Sequence, residues 1–201
     1  RGGKSSAPVF ADLDGDGDFD LLVGNQHGNI HYWENKGSSE IAEFIYNPTP
    51  FFGVTGGRNS VPAVLDLNGD GRNDLLVGNF IGQLHKFMSI ENGSGFSFRL
   101  ERRKYLNLDV GLGSVPKITD LDNNNQPDLI VGSDSGKLFS FQPDPENTAL
   151  LTWKSSPEYF KKLKLPVGGN PVFVDLDSDG DLDLIIGSEE GTLYHFRNTG
   201  R

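Results

Sequence analysis

The segment DLDGDGDFD, residues 12–20, places five carboxylates in nine residues. Like charges at contact distance repel by about 1 kcal/mol per pair even in bulk water. A folded loop of this composition therefore needs something that offsets the repulsion. The segment is one of four: DLNGDGRND begins at Asp66, DLDNNNQPD at Asp120 and DLDSDGDLD at Asp175, at spacings of 54, 54 and 55 residues. A fixed period of this size marks a repeat architecture.

The repeat extends beyond the acidic loop. Four residues before each first aspartate stands a proline, Pro8, Pro62, Pro116 or Pro171. Twelve residues after it stands a glycine, Gly24, Gly78, Gly132 or Gly187, and a second follows at Gly28, Gly82, Gly136 or Gly191. An aromatic closes the pattern at Trp33, Phe87, Phe141 or Phe196, and packing between units is its expected role. Each unit reads as strands. PVFAD precedes the loop, LLVGN follows it, QHGN makes a turn, IHYWEN alternates, and AEFIYNPT can add a fourth strand. The first two strands are apolar on both faces, as inner strands should be.

Four strands in a unit of this length is the pattern of a β-propeller blade. The expected fold is all-β, a propeller of four blades in a single domain over residues 1–201, with units at 2–55, 56–109, 110–164 and 165–201. GGKSSAP aligns with GGRNSVP at 56–62, and the final FRNTGR aligns with WENKGS at 33–38. The last blade is thus expected to lack its outer strand. Either the chain belongs to a larger propeller or another chain completes the edge, since an unpaired edge invites pairing.

The loops offer oxygen ligands at positions 1, 3, 5 and 9, with a backbone carbonyl available at position 7. In the first loop these are Asp12, Asp14, Asp16, Asp18 and Asp20; in the second, Asp66, Asn68, Asp70, Arg72 and Asp74. In the third they are Asp120, Asp122, Asn124, Gln126 and Asp128; in the fourth, Asp175, Asp177, Asp179, Asp181 and Asp183. All-oxygen shells of six to eight ligands at about 2.3–2.6 Å suit Ca²⁺ better than Mg²⁺. An EF-hand would need a glutamate at position 12, where this chain has Val23, Val77, Val131 and Ile186. Sixteen of the 28 acidic residues lie in these loops, and four divalent ions would bring the net charge from −10 to −2. The third loop, with Asn125 where glycine stands elsewhere, is expected to be the weakest site. Asparagine tolerates the left-handed region, so its turn should survive. The competing reading is four acidic turns with no ion, since Asp, Asn and Gly are turn residues.

The bulk composition narrows the function. A net charge of −10 argues against nucleic acid and anionic membranes, and no apolar run is long enough for a spanning helix. With no cysteine there are no disulfides, zinc–thiolate sites or thiol catalysis. The opening RGGKSS carries neither an initiator methionine nor a signal peptide and reads as a processed piece of something longer. A sequon stands at Asn92-Gly93-Ser94.

The units resemble FG-GAP/VCBS repeats, whose mark is D-x-D-x-D-G-x-x-D followed by an apolar strand with a Val-Gly step. FADLDGDGDFDLLVGNQHG and FVDLDSDGDLDLIIGSEEG lie close to that pattern, and FRNTG is typical of the VCBS form. The resemblance covers the whole chain. It implies a β-propeller with structural calcium in the loop between the first two strands of each blade, as in integrin α heads, several lectins and many bacterial surface proteins. Such propellers often have about seven blades, so four units are a departure. Extracellular calcium modules bind at about 10⁻⁴–10⁻³ M, and such sites would be largely empty in a cytosol, so the expected location is extracellular or at the cell surface.

No catalytic constellation is visible. His27, His31, His85 and His195 are not paired with a nucleophile and read as strand or turn residues. RLERRKY and YFKKLKL hold Arg99, Arg102, Arg103, Lys104, Lys161, Lys162 and Lys164, a basic rim that reads first as a solvated face and second as a surface for an anionic glycan or acidic partner. The leading expectation is a non-enzymatic module that binds protein or glycan or assembles with itself. Two others stay open: the propeller part of a carbohydrate-active enzyme such as a polysaccharide lyase, and a filament subunit.

Overall fold

Short apolar runs separated by glycine-bearing turns have no way to bury themselves except as strands of a meander, and each unit folds that way. In the computed structural model, described for residues 4–51, 53–93, 95–146, 151–157, 159–168 and 170–200, the first unit runs β1 (Ala7–Ala11), β2 (Asp20–Gly24), β3 (Ile30–Asn35) and β4 (Phe44–Tyr46). The second runs β5 (Val61–Leu65), β6 (Asp74–Gly78), β7 (Leu84–Asn92) and β8 (Gly95–Arg102). The third runs β9 (Val115–Thr119), β10 (Asp128–Gly132), β11 (Leu138–Pro143) and β12 (Trp153–Ser155). The fourth has β13 (Pro171–Val174), β14 (Asp183–Gly187) and β15 (Leu193–Phe196). Every sheet is an antiparallel meander in chain order, of four strands in blades 1 to 3 and three in blade 4. Residues 1–3, at the start of the first unit, and Ser94 of the sequon lie outside the described residues.

The register places the acidic loops. Ala11 pairs with Asp20, Leu65 with Asp74, Thr119 with Asp128 and Val174 with Asp183. The ninth loop residue is therefore the first residue of each second strand, and the loop caps the hairpin between strands one and two.

The blades form a four-blade β-propeller, with the first strand of each packed beside the first strand of the next. Its core lies between blades. One cluster joins Ala11, Leu13, Leu22, Ile30 and Tyr32 of blade 1 to Leu75, Val77 and Phe87 of blade 2. A second joins Ala63, Leu67, Leu76 and Leu84 of blade 2 to Leu129, Val131 and Trp153 of blade 3. The outer strand β8 contributes Phe96, Phe98 and Leu100 to the first cluster, where Phe51 meets Phe98 at 4.9 Å between ring centres. The repeated aromatics divide by neighbourhood. Phe87 and Phe141 pack between blades, Phe196 lines a cleft beside blade 3, and Trp33 stacks with His31 and Tyr46.

Two of the repeated glycines follow from the same packing. A methyl group on Gly24 would lie 2.0 Å from the carbonyl oxygen of Ser60 in blade 2, and one on Gly78 would lie 2.1 Å from that of Ser114 in blade 3. Backbones approach too closely there for any side chain.

Candidate metal centres

The four loops share one backbone plan. The first aspartate accepts the N–H five residues on: Gly17 to Asp12 at 3.1 Å, Gly71 to Asp66 at 2.8 Å, Asn125 to Asp120 at 2.7 Å and Gly180 to Asp175 at 3.1 Å. The fifth residue accepts the N–H of the seventh: Asp18 to Asp16, Arg72 to Asp70, Gln126 to Asn124 and Asp181 to Asp179. Positions 4 and 6 adopt positive φ in every loop, and in the third they are Asn123 (57°) and Asn125 (63°), as the tolerance of asparagine predicts. These bonds fix the turn and leave carboxylate lone pairs over.

In three loops this plan gathers acidic oxygens within 4.8 Å of one another: Asp12, Asp14 and Asp16; Asp120, Asp122 and Asp128; Asp175, Asp177 and Asp179. The second loop has Asn68 at the third position, and its amide donates to Asp70 Oδ2 at 3.0 Å.

The ninth-position aspartates are buried, and in three blades they latch the loop to a backbone N–H in or just after the third strand. Asp20 accepts from the N–H of Asn35 (2.8 Å), of Leu13 (3.2 Å) and from the Tyr32 hydroxyl (3.0 Å). Asp74 accepts from Ser89 (2.7 Å) and Leu67 (3.0 Å), and Asp183 accepts from Asn198 (2.8 Å) and meets His195 Nε2 at 3.1 Å. The donor lies fifteen residues downstream in each case. In blade 3 that position is Pro143, which has no N–H. Asp128 keeps the bond from Leu121 at 2.9 Å, but its Oδ1 is buried without a partner. That orphaned oxygen, on an aspartate of the third cluster, fits a cation ligand.

Electrostatics separate the loops. Burial, then Asp20 and Asp16, push Asp14 up to about 6, and burial, then Asp122 and Asp120, push Asp128 up to about 6. Burial also raises Asp20 and Asp74. Loops two and four carry cations of their own. Arg72 meets Asp70 at 2.6 Å, while Arg197 reaches Asp177 at 2.5 Å and Asp179 at 3.5 Å. Bonds from Asn68 and Arg72 hold Asp70 below the usual carboxylate range, and bonds from Asn198 and His195 do so for Asp183.

Arg197 and His195 were not singled out as site residues from the sequence, though the repeat holds the signal. Glu34, Met88, Gln142 and Arg197 occupy one repeat position, in the third strand of blades 1 to 3 and just after it in blade 4. Gln142 donates to Asp122 at 2.9 Å, Arg197 to Asp177, and Glu34 adds its charge to Asp14. That position faces the third loop residue and so sets the charge beside it. Neighbouring loops are also tied directly: Asn73 donates to the Asp12 carbonyl at 2.6 Å and Asn123 to the Gly180 carbonyl at 2.8 Å.

The family model described as an FG-GAP-like repeat matches residues 3–77. Residues 3–77 are thus similar to an FG-GAP-like repeat. That match covers the first unit and the first two strands of the second; units three and four share the loop plan. Among curated proteins, the chain is similar to integrin alpha-4 of Xenopus laevis, 28% identical over 168 residues, which is 71% of this chain and 16% of the relative. It is similar also to integrin alpha-3 of Cricetulus griseus and of Mus musculus, each 27% identical over 161 residues, 70% of this chain and 15% of the relative. The chain thus spans about one-sixth of the length of these relatives. Among the described residues no helix is long and apolar enough to cross a membrane.

The remaining candidates lie on the surface. Arg99, Arg102, Arg103, Lys104, Lys161, Lys162 and Lys164 are all exposed. A cleft of about 480 Å³ between blades 2 and 3 includes Arg72, Lys86, Arg99 and Tyr105 in its lining. One of about 550 Å³ between blades 3 and 4 is walled by Phe160, Leu163, Phe173 and Phe196 beside Asp122 and Arg197. His27 bonds Gln26, His31 bonds Asn25 and Tyr46, and His85 is buried.

Proposed function

We propose that this chain is a non-enzymatic, extracellular, adhesion-type propeller module in which Ca²⁺ in each loop stabilises a blade that presents a surface to a protein or glycan ligand. The observation that carries the calcium reading is the loop plan itself. Four hairpin loops hold their first and fifth side chains by the same backbone bonds, and three of them converge acidic oxygens within 4.8 Å. Asp12, Asp14, Asp16 and Asp20, with their counterparts in the other units, would hold the ion; positions 18, 72, 126 and 181 would offer a carbonyl. The ion would supply positive charge where burial and mutual repulsion now disfavour ionisation. A hard divalent cation suits a donor set of oxygens alone.

The similarity to integrin α subunits supports adhesion and a cell-surface location for the module, and the basic clusters on blades 2 and 3 suit an acidic or anionic ligand. A cation that binds only the folded loop stabilises it by roughly 2.7 kcal/mol per site at a hundredfold excess over Kd. Melting curves in millimolar calcium and in excess chelator test this reading. We expect a clear drop in Tm on chelation, and loss of one calorimetrically titrated site in Asp175→Ala. Superimposable curves would overturn it.

A further inference from the structure

Aromatic rings fill the outer part of the interface between blades 1 and 2. Tyr32, fully buried, meets Phe51 at 5.3 Å and Phe96 at 5.7 Å between ring centres. The same positions one unit on are filled differently. Lys86 stands for Tyr32 and Tyr105 for Phe51, each 54 residues later. The pairing of Pro143 with Trp153 matches that of Ser89 with Phe98, so Leu151, two residues before Trp153, stands for Phe96. With Lys86 and Leu151 in place of two rings, a cleft of about 480 Å³ remains between blades 2 and 3. Its size suits a small ligand, for which pockets of roughly 300–1,000 Å³ are usual. The cleft is built by residues of two adjoining blades inside the chain.

Its described lining reverses the sign of the chain. Arg72, Lys86 and Arg99 stand with Asp70 and Glu101, an excess of one positive charge in a molecule of net charge −10. Two of the cations are engaged. Lys86 Nζ lies 3.1 Å from Glu101 and 5.4 Å from the centre of the Tyr105 ring, and Arg72 meets Asp70 at 2.6 Å. Arg99 is exposed and makes no ion pair among the described residues. The turn that carries Tyr105 is strained: Lys104 (50°), Leu106 (60°) and Asn107 (50°) all adopt positive φ. A bulky residue such as leucine rarely takes that conformation, and strain of this kind gathers at ligand sites.

We propose that this cleft binds an acidic saccharide bearing one anionic group, with the carboxylate or sulfate on Arg99 and the sugar hydroxyls on the ion pairs beside it. An unpaired guanidinium presents two parallel N–H donors to a single anionic group. Sugar hydroxyls both donate and accept, which matches a wall where ammonium and guanidinium donors alternate with the carboxylates of Asp70 and Glu101. A peptide rich in carboxylates would be repelled by those same two acids. The Tyr105 ring adds apolar surface with a polar tip. This inference names a ligand class for the presenting surface proposed above and rests on that reading.

Amide shift titrations by NMR on the isotope-labelled 201-residue chain in millimolar calcium test it. The probes are methyl β-glucuronide, methyl β-glucoside 6-sulfate, methyl β-glucoside and triglutamate. We expect saturable shifts around Arg99 and Tyr105 with the two anionic sugars, and roughly tenfold weaker binding of the neutral one. Whichever anionic sugar binds tighter identifies the anion. Arg99→Gln should weaken binding roughly tenfold without lowering Tm, because the side chain is exposed. Lys86→Tyr combined with Leu151→Phe rebuilds the ring packing of the first interface and should abolish binding; if that pair unfolds the chain, Arg99→Gln alone decides. The proposal is overturned by an absence of saturable shifts at the cleft, by binding that Arg99→Gln leaves intact, or by triglutamate binding as tightly as the sugars. A Tm that still responds to calcium in that event confines the failure to the saccharide assignment.

Discussion

Asp128 shows how one missing N–H alters a site. Its three counterparts are latched from fifteen residues downstream, and Pro143 removes the corresponding donor. Pro143→Ala should restore it. We expect a gain of about 1 kcal/mol in urea unfolding measured in chelator, the usual worth of a hydrogen bond to a buried acceptor, with a smaller gain in calcium if the ion already engages that oxygen. Arg197 gives the complementary case. It occupies Asp177 and Asp179, so an ion entering loop four must displace it. Arg197→Gln should tighten calcium binding at that loop several-fold by titration calorimetry and leave loop one unaffected. The acidic clusters were legible in the sequence because the aspartates recur in phase. Pro143 and Arg197 were not, because their importance depends on register across the hairpin, which side-chain type alone does not reveal.

Single strands carry consequences of their own. β7 buries His85, whose Nδ1 faces the N–H of Lys104 at 3.4 Å. Burial, aided slightly against the bond at Leu84 by the nearby Arg103, pulls its pKa below the ordinary histidine value of 6.5. The unfolded chain therefore binds the proton more readily than the folded one. The contribution of His85 to stability is complete above about pH 6.5 and declines as pH falls through that value. The Tm difference between the parent and His85→Gln should shrink between pH 7.5 and 5.5; a difference independent of pH would contradict the sign. In β2, Gly24→Ala forces a methyl against the Ser60 carbonyl and should cost about 1–3 kcal/mol as an overpacked contact, measurable by chemical denaturation. Strand number and order were readable from the alternating and apolar runs, and the three-stranded last sheet from the alignment of FRNTGR with WENKGS. The one-turn segment Thr49–Phe51 was not, because Phe51 is ordered by Tyr32 and Phe98 rather than by its own neighbours in sequence.

For the molecule as a whole, sixteen acidic residues are drawn into the hairpin loops. In chelator, raising sodium chloride from about 0.02 to 0.5 M should raise Tm by screening that repulsion, and in calcium the same change should have little effect; calorimetry at both salt levels checks this. The period near 54 residues made the architecture legible from sequence, whereas the clefts between blades 2 and 3 and between blades 3 and 4 were not, since they depend on how neighbouring blades pack. The asparagine ties between loops, Asn73 to the Asp12 carbonyl and Asn123 to the Gly180 carbonyl, have a further effect. They join the hairpins in couples, the first with the second and the third with the fourth. Amide exchange should then slow in two cooperative halves as cation is added, so that each couple behaves as a single thermodynamic switch.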